Sequence, residues 1–233
     1  MKILKVIDKI ELDNVGECKV TFIRIDPEDR RETIKHILEE ISDMSWIKEE
    51  IPEDLIPSIQ ARVEPTVEEL IKKLSENDGD NITSQTGEYF VSEIAREAII
   101  NELKYKNIPL AEMVKQKKDG NPGFDYHTEN NNNIIIFGEA KYVYKQNAYG
   151  RALNQIVKFI KEKKDIMDLI DLRDFVSKEA RINANLGKKG YAIGFSSYSI
   201  NSKKLIENIM NNEDFKEVIK YEEIVIVAVD INE

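Results

Sequence analysis

Residues 123–142 read GFDYHTENNNNIIIFGEAKY. The asparagine run Asn130 to Asn133 is turn chemistry, because asparagine tolerates left-handed backbone and bonds its own main chain. Ile134 to Phe137 is a continuous apolar run, the pattern of a central strand covered on both faces. The stretch therefore predicts a hairpin, with Asp125 ahead of the turn and Glu139-Ala140-Lys141 closing the second strand. Strand side chains alternate, so Glu139 and Lys141 share one face and Ala140 takes the other. If the first strand lies antiparallel beside the second, Asp125 faces the same cleft as Glu139.

Outward from the hairpin, the rear of the chain reads helix, strand, strand, helix, strand, helix, strand. The first helix spans about 85–105, with Phe90, Val91, Ile94, Ala98, Ile99 and Leu103 forming its apolar stripe. A helix over 148–170 follows the hairpin. YAIGFSSYS then reads as a strand, NSKKLIENIM as a helix capped by Asn201 or Ser202, and EEIVIVAVD as a last buried strand. The fold class is α/β, a mixed central sheet flanked by helices. Ahead of it, residues 2–12 and 17–26 read as strands, a helix covers about 29–42, and Thr66 caps a short helix, VEELIKKLSE. The polar segment ENDGDNITSQTG reads as a linker. Two domains are expected: an acidic N-terminal α+β module over 1–80, fit for binding a partner, and a second domain over 81–233.

Composition limits the chemistry. One cysteine, Cys18, excludes an internal disulfide and a multi-cysteine zinc site, and only His36 and His127 offer imidazole. No run approaches a membrane span, and the charges in MKILKVIDKIELDN interrupt any secretory core, so a cytoplasmic protein is expected. Formal net charge is -10, which disfavours nucleic acid as partner. The acidity is uneven, however. Residues 1–85 hold 21 acidic against 12 basic side chains, and residues 86–233 hold 23 against 22. Within the rear part, 141–164 carries seven Lys and Arg against Glu162 alone. That run is either a solvated helix face or a track for a phosphate backbone. Lys145, Arg151 and Lys158, with Tyr142 and Tyr144 interleaved, are the candidate nucleic-acid contacts, the rings serving either stacking or packing.

Two carboxylates, a backbone carbonyl at Ala140 and water make the hard oxygen shell that Mg²⁺ or Mn²⁺ takes. A lysine beside them suits the orientation and deprotonation of a water that attacks a phosphodiester. Gly138 permits close approach of backbone or substrate.

Gly123-x-Asp125 followed by Glu139-Ala140-Lys141 after an apolar strand resembles the PD-(D/E)xK nuclease core. The resemblance implies a restriction-endonuclease-like fold and a Mg²⁺-dependent DNA endonuclease. Asp125 and Glu139 become metal ligands, Lys141 the group that assists the water, and Glu88 on the preceding helix a further catalytic or metal-binding acid. Glu93 and Glu97 are weaker matches for that acid, and Gln155 matches a supporting polar residue on the following helix. Phe159 stands where some exonuclease branches carry tyrosine. The acidic leader, the Thr86-Gly87-Glu88 helix, Gly-x-Asp and Gly-Glu-Ala-Lys resemble more narrowly the nuclease subunit of the Hachiman anti-phage defence system. That likeness implies a helicase subunit as partner beside DNA.

Bland readings stand beside these. Glu88 in a first helical turn suits the helix dipole, Gln155 a polar surface, and His127 a structural pair. Two other functions share the residues: a stand-alone restriction endonuclease, and a non-catalytic DNA-binding or interaction module that keeps the fold.

Overall fold

A computed structural model describes residues 5–75, 84–114 and 123–231. Strands β1 (Lys5–Val15) and β2 (Cys18–Asp26) form an antiparallel pair. They lead into α1 (Arg30–Ser42), α2 (Trp46–Glu50) and α3 (Ile56–Ser75). After α4 (Ser84–Leu103) and the single turn α5 (Ala111–Val114), the hairpin forms from β3 (Tyr126–Glu129) and β4 (Ile135–Lys141). The rest is α6 (Tyr149–Lys161), α7 (Lys164–Asp168), α8 (Lys178–Asn185), β5 (Gly190–Ser197), α9 (Ser202–Met210), α10 (Glu213–Val218) and β6 (Glu223–Asp230).

These strands build one six-stranded mixed sheet in the order β1-β2-β6-β5-β4-β3. The four inner strands are parallel, and β1 and β3 are antiparallel edges. Inner strands are buried on both faces, which explains their unbroken apolar runs. One face packs against α6, α8, α9 and α10 through Phe137, Tyr191, Phe195 and Ile226. The other packs against α1, α3 and α4 through Ile23, Ile136, Ala192 and Val227.

The expected boundary near residue 80 divides neither sheet nor core. β2 pairs with β6 over Lys19–Ile25, so the front of the chain supplies two strands of the same sheet. Buried acids close this seam at both ends. Arg24 Nε donates to Asp230 at 3.0 Å, and Glu223 lies 3.2 Å from Lys19 Nζ while accepting from Tyr105 Oη at 2.6 Å. Most of the expected linker lies outside the described residues, and its last residues, Ser84 to Gly87, begin α4.

Local signals decide several ends. Asp29 caps α1 by accepting from Arg31 N at 2.9 Å, and Asn201 caps α9 by accepting from Lys204 N at 2.9 Å. Thr66 is not a cap: α3 runs on through Pro65, because Val63, Val67, Leu70 and Leu74 bury one stripe on both sides of the proline. Burial of four such side chains outweighs one missing helical hydrogen bond. The single helix expected over 148–170 breaks at Lys163, whose φ of +58° turns the chain. That turn lets Asp165 reach Lys189 and Tyr191 and lets Asp168 meet His127 inside the core.

A chain starting at residue 81 is expected not to fold alone, because it would leave β6 as an exposed apolar edge. Far-ultraviolet circular dichroism on heating should give a cooperative transition for the full chain and none for 81–233. A cooperative melt of the fragment would contradict the single core.

Candidate active site

The hairpin register pairs Tyr126 with Gly138 and His127 with Phe137, and one further step places Asp125 opposite Glu139. Backbone bonds hold that step: Asp125 N donates to Gly138 O at 2.8 Å, and Ala111 N donates to Asp125 O at 3.0 Å. The Asp125 carboxylate is itself anchored, with Oδ2 accepting from Ala140 N at 2.7 Å. Its reach onto the next strand welds the start of β3 to the end of β4.

Gly138 is required by a packing contact that the sequence does not reveal. A Cβ there would fall 2.2 Å from the Tyr126 ring. The close neighbour is thus an aromatic side chain of the same hairpin rather than substrate. The ring reaches on to β5, where its hydroxyl lies 3.5 Å from the place a Cβ on Gly194 would occupy. Tyr126 is therefore the organising residue that sequence reasoning missed. Gly138 was its only trace, since Gly194 is required instead by Ala95 of α4, whose Cβ lies 2.7 Å from where a side chain there would begin.

Lys141 Nζ lies 2.7 Å from Glu139 Oε1 and 3.6 Å from Glu88 Oε2. Glu139 is 2% exposed, and its second oxygen, Oε2, is buried with no hydrogen-bond partner. Burial, and then the Asp125 carboxylate, push the Glu139 carboxyl well above the usual range against the pull of Lys141. Lys141 itself is desolvated, yet Glu139, Asp125 and Glu88 outweigh that and raise its pKa. These neighbours favour the ammonium form of Lys141, which donates and neutralises.

The four residues Glu88, Asp125, Glu139 and Lys141 thus converge where β4 ends and β3 begins. This is the carboxyl end of the parallel strands, where open α/β sheets leave a crevice. Glu88 meets the group through Lys141. Among the described residues no group of three or more His, Cys, Asp or Glu side chains is placed to hold a metal ion, so Glu88 does not complete a three-carboxylate cage. Gln155 is half-buried on α6 and makes no hydrogen bond to Asp125 or Glu139.

The remaining candidates separate by burial. Tyr142 is 5% exposed, and its ring lies where a side chain on Gly87 would be, so it packs against α4 and cannot stack on a base. Tyr144, Lys145, Arg151 and Lys158 are exposed. Arg151 and Lys158, seven residues apart, line one face of α6. His127 Nε2 lies 3.0 Å from Asp168 and the ring packs edge-on against Phe137, which makes it a core residue. Glu93 is bound to Arg96, and Glu97 lies 3.1 Å from His36, so neither belongs to the site.

The chain matches no protein-family model and no curated protein.

Because the folded state holds the Glu139 proton more tightly than the unfolded one, ionised Glu139 costs stability above its ordinary pKa of 4.5. Glu139→Gln should raise the melting temperature at pH 8 by about 2–4 °C, the shift that roughly 1 kcal/mol gives in a chain of this size. The gain should shrink as pH falls towards 5 and the wild-type carboxyl becomes neutral. Equal or lower melting of the variant at pH 8 would refute this assignment of strain.

Proposed function

We propose that the protein is a metal-dependent DNA endonuclease that hydrolyses phosphodiester bonds at Asp125, Glu139 and Lys141. One observation carries the reading: a buried carboxylate, Glu139, keeps one oxygen unpartnered beside a second carboxylate and a lysine at the carboxyl end of the sheet. A buried acceptor left unpaired costs free energy, and such costs concentrate at functional sites.

The donor set fits a hard divalent cation. Asp125 and Glu139 offer carboxylate oxygens, and the Ala140 carbonyl is a third hard donor on the same strand. Mg²⁺ or Mn²⁺ bound there supplies charge neutralisation at a phosphate and acidifies water. The chain does the rest. Ala140 N fixes the Asp125 carboxylate at 2.7 Å, which presets the angle between the two acids. Lys141, held as an ammonium by Glu139 and Glu88, places a proton donor where negative charge develops on the phosphoryl oxygens. Arg151 and Lys158 supply exposed cations for the strand on either side of the cut.

The resemblance to the Hachiman nuclease subunit supports a role as effector of an anti-phage defence complex, with a helicase as partner. The net charge of -10 favours a partner too, since phosphate neutralisation by this chain alone is weak. No helix among the described residues is long and apolar enough to cross a membrane. The compartment proposed for such a complex is the cytoplasm.

Supercoiled plasmid incubated with the protein and Mg²⁺ or Mn²⁺, with and without the candidate helicase, tests this. Nicking should fall at least roughly 100-fold in Glu139→Ala and in Lys141→Ala, as when a single charge-stabilising group is removed from an active site. Nicking that needs the helicase selects the defence complex, and discrete fragments without it select a stand-alone restriction enzyme. Cleavage by Glu139→Ala equal to wild type would remove the site. No cleavage by a folded protein that also binds no divalent ion would leave a non-catalytic module.

A further inference from the structure

The loop that follows Lys141, residues 142–148, carries little in its sequence to order it, yet it is bonded to β5 and the residue beyond along its length. Ser196 Oγ accepts from Val143 N at 3.0 Å and shares its proton between the Val143 and Gln146 carbonyls at 3.1 and 3.2 Å. Asn147 uses both ends of its amide on Tyr198: Oδ1 accepts from the backbone N at 3.0 Å and Nδ2 donates to the carbonyl at 3.2 Å. Ala148 N closes the loop by donating to Ser196 O at 3.1 Å. Tyr142, buried against Gly87, pins its start.

At the tip Lys145 takes φ of +53°. A non-glycine residue keeps that left-handed backbone only where its surroundings impose it. The result is an aromatic ring displayed outward: Tyr144 is 59% exposed, with Lys145 Nζ 5.1 Å from its ring centroid. It is the only aromatic ring among the large apolar side chains exposed in the described residues. Because the loop backbone is already held, less freedom is lost when a ligand stacks on the ring it carries.

We propose that Tyr144 is a base-stacking platform that directs the site to nucleic acid with unpaired bases at the cut, a single strand or a bubble rather than perfect duplex. The inference rests on the nuclease reading, and Tyr144 stands three residues from Lys141. In duplex each base face is covered by its neighbours, and exposing one costs unstacking energy. An unpaired base meets the ring without that cost, and Lys145 at the tip meets the adjoining phosphate. Stacking also supplies affinity that a chain of net charge -10 does not gain from phosphates.

Binding can be read without turnover. Full-length protein carrying Glu139→Gln is titrated into DNA containing 2-aminopurine, as a single strand, as a duplex with a central bubble, and as perfect duplex. Single strand and bubble should bind roughly 5- to 150-fold more tightly than duplex, the range that one stacked base provides. Tyr144→Ala should lose that factor on unpaired DNA and leave duplex affinity unchanged, while Tyr144→Phe keeps it. Equal affinity for the three DNAs, an unaltered Tyr144→Ala, or no binding to any of them overturns the platform. Cleavage by wild type together with Tyr144-independent binding would sink the platform alone. Tyr144-dependent binding with no cleavage under any metal would sink the nuclease reading instead.

Discussion

The register of β3 against β4 is the constraint on which the site depends. A slip of one residue would turn Asp125 to the opposite face from Glu139 and dissolve the group. Three contacts prevent it. The Tyr126 ring occupies the space over Gly138 that any side chain there would claim. Ala140 N bonds the Asp125 carboxylate, so the functional group is also a register lock. At the turn, Asn130 Oδ1 accepts from Asn132 N at 2.9 Å and Ile134 N at 3.0 Å, while Asn133 takes φ of +57°. The asparagines thus do by side-chain bonding what a two-residue turn does with glycine.

Elsewhere in the molecule the buried charges are matched. Glu93 has Arg96, Asp165 has Lys189 and Tyr191, Asp230 has Arg24, and Glu223 has Tyr105, Asn130 and Lys19. Glu139 is different, with one oxygen on Lys141 and the other on nothing. The Tyr126 hydroxyl on the same hairpin is also buried without a partner. Other buried polar atoms, such as Thr21 Oγ1 and Trp46 Nε1, also make no hydrogen bond, but these two lie on one hairpin, where Glu88, Asp125, Glu139 and Lys141 converge. Unpaired buried polar atoms of that kind call for an explanation other than stability.

Much of this was legible beforehand. The alternation rule put Glu139 and Lys141 on one face, and the apolar run Ile134–Phe137 marked a strand covered on both sides. Caps at Asp29 and Asn201 are local signals, and local signals survive folding. What failed was decided at a distance. Thr66 looked like a helix cap because the helix that runs up to it through Pro65 is held by burial rather than by propensity. Tyr142 looked like a partner for nucleic acid because nothing in its neighbourhood names Gly87, 55 residues earlier in the chain, as its neighbour. His127 is the structural residue expected, and only its partner lay beyond local reading, because the break at Lys163 is what brings Asp168 to it.

By itself the sequence determined which strand carries the acid and lysine pair, that a hairpin joins it to Asp125, and that helices cover a mixed sheet. Periodicity and turn chemistry act within a few residues, so they can be read along a line. The joining of the first 80 residues to the rear core, the burial that strains Glu139, and the choice of Tyr144 over Tyr142 as the outward ring belonged to the tertiary structure. Strand order, desolvation and the space available to a ring depend on residues far apart in the chain, and no local pattern encodes them.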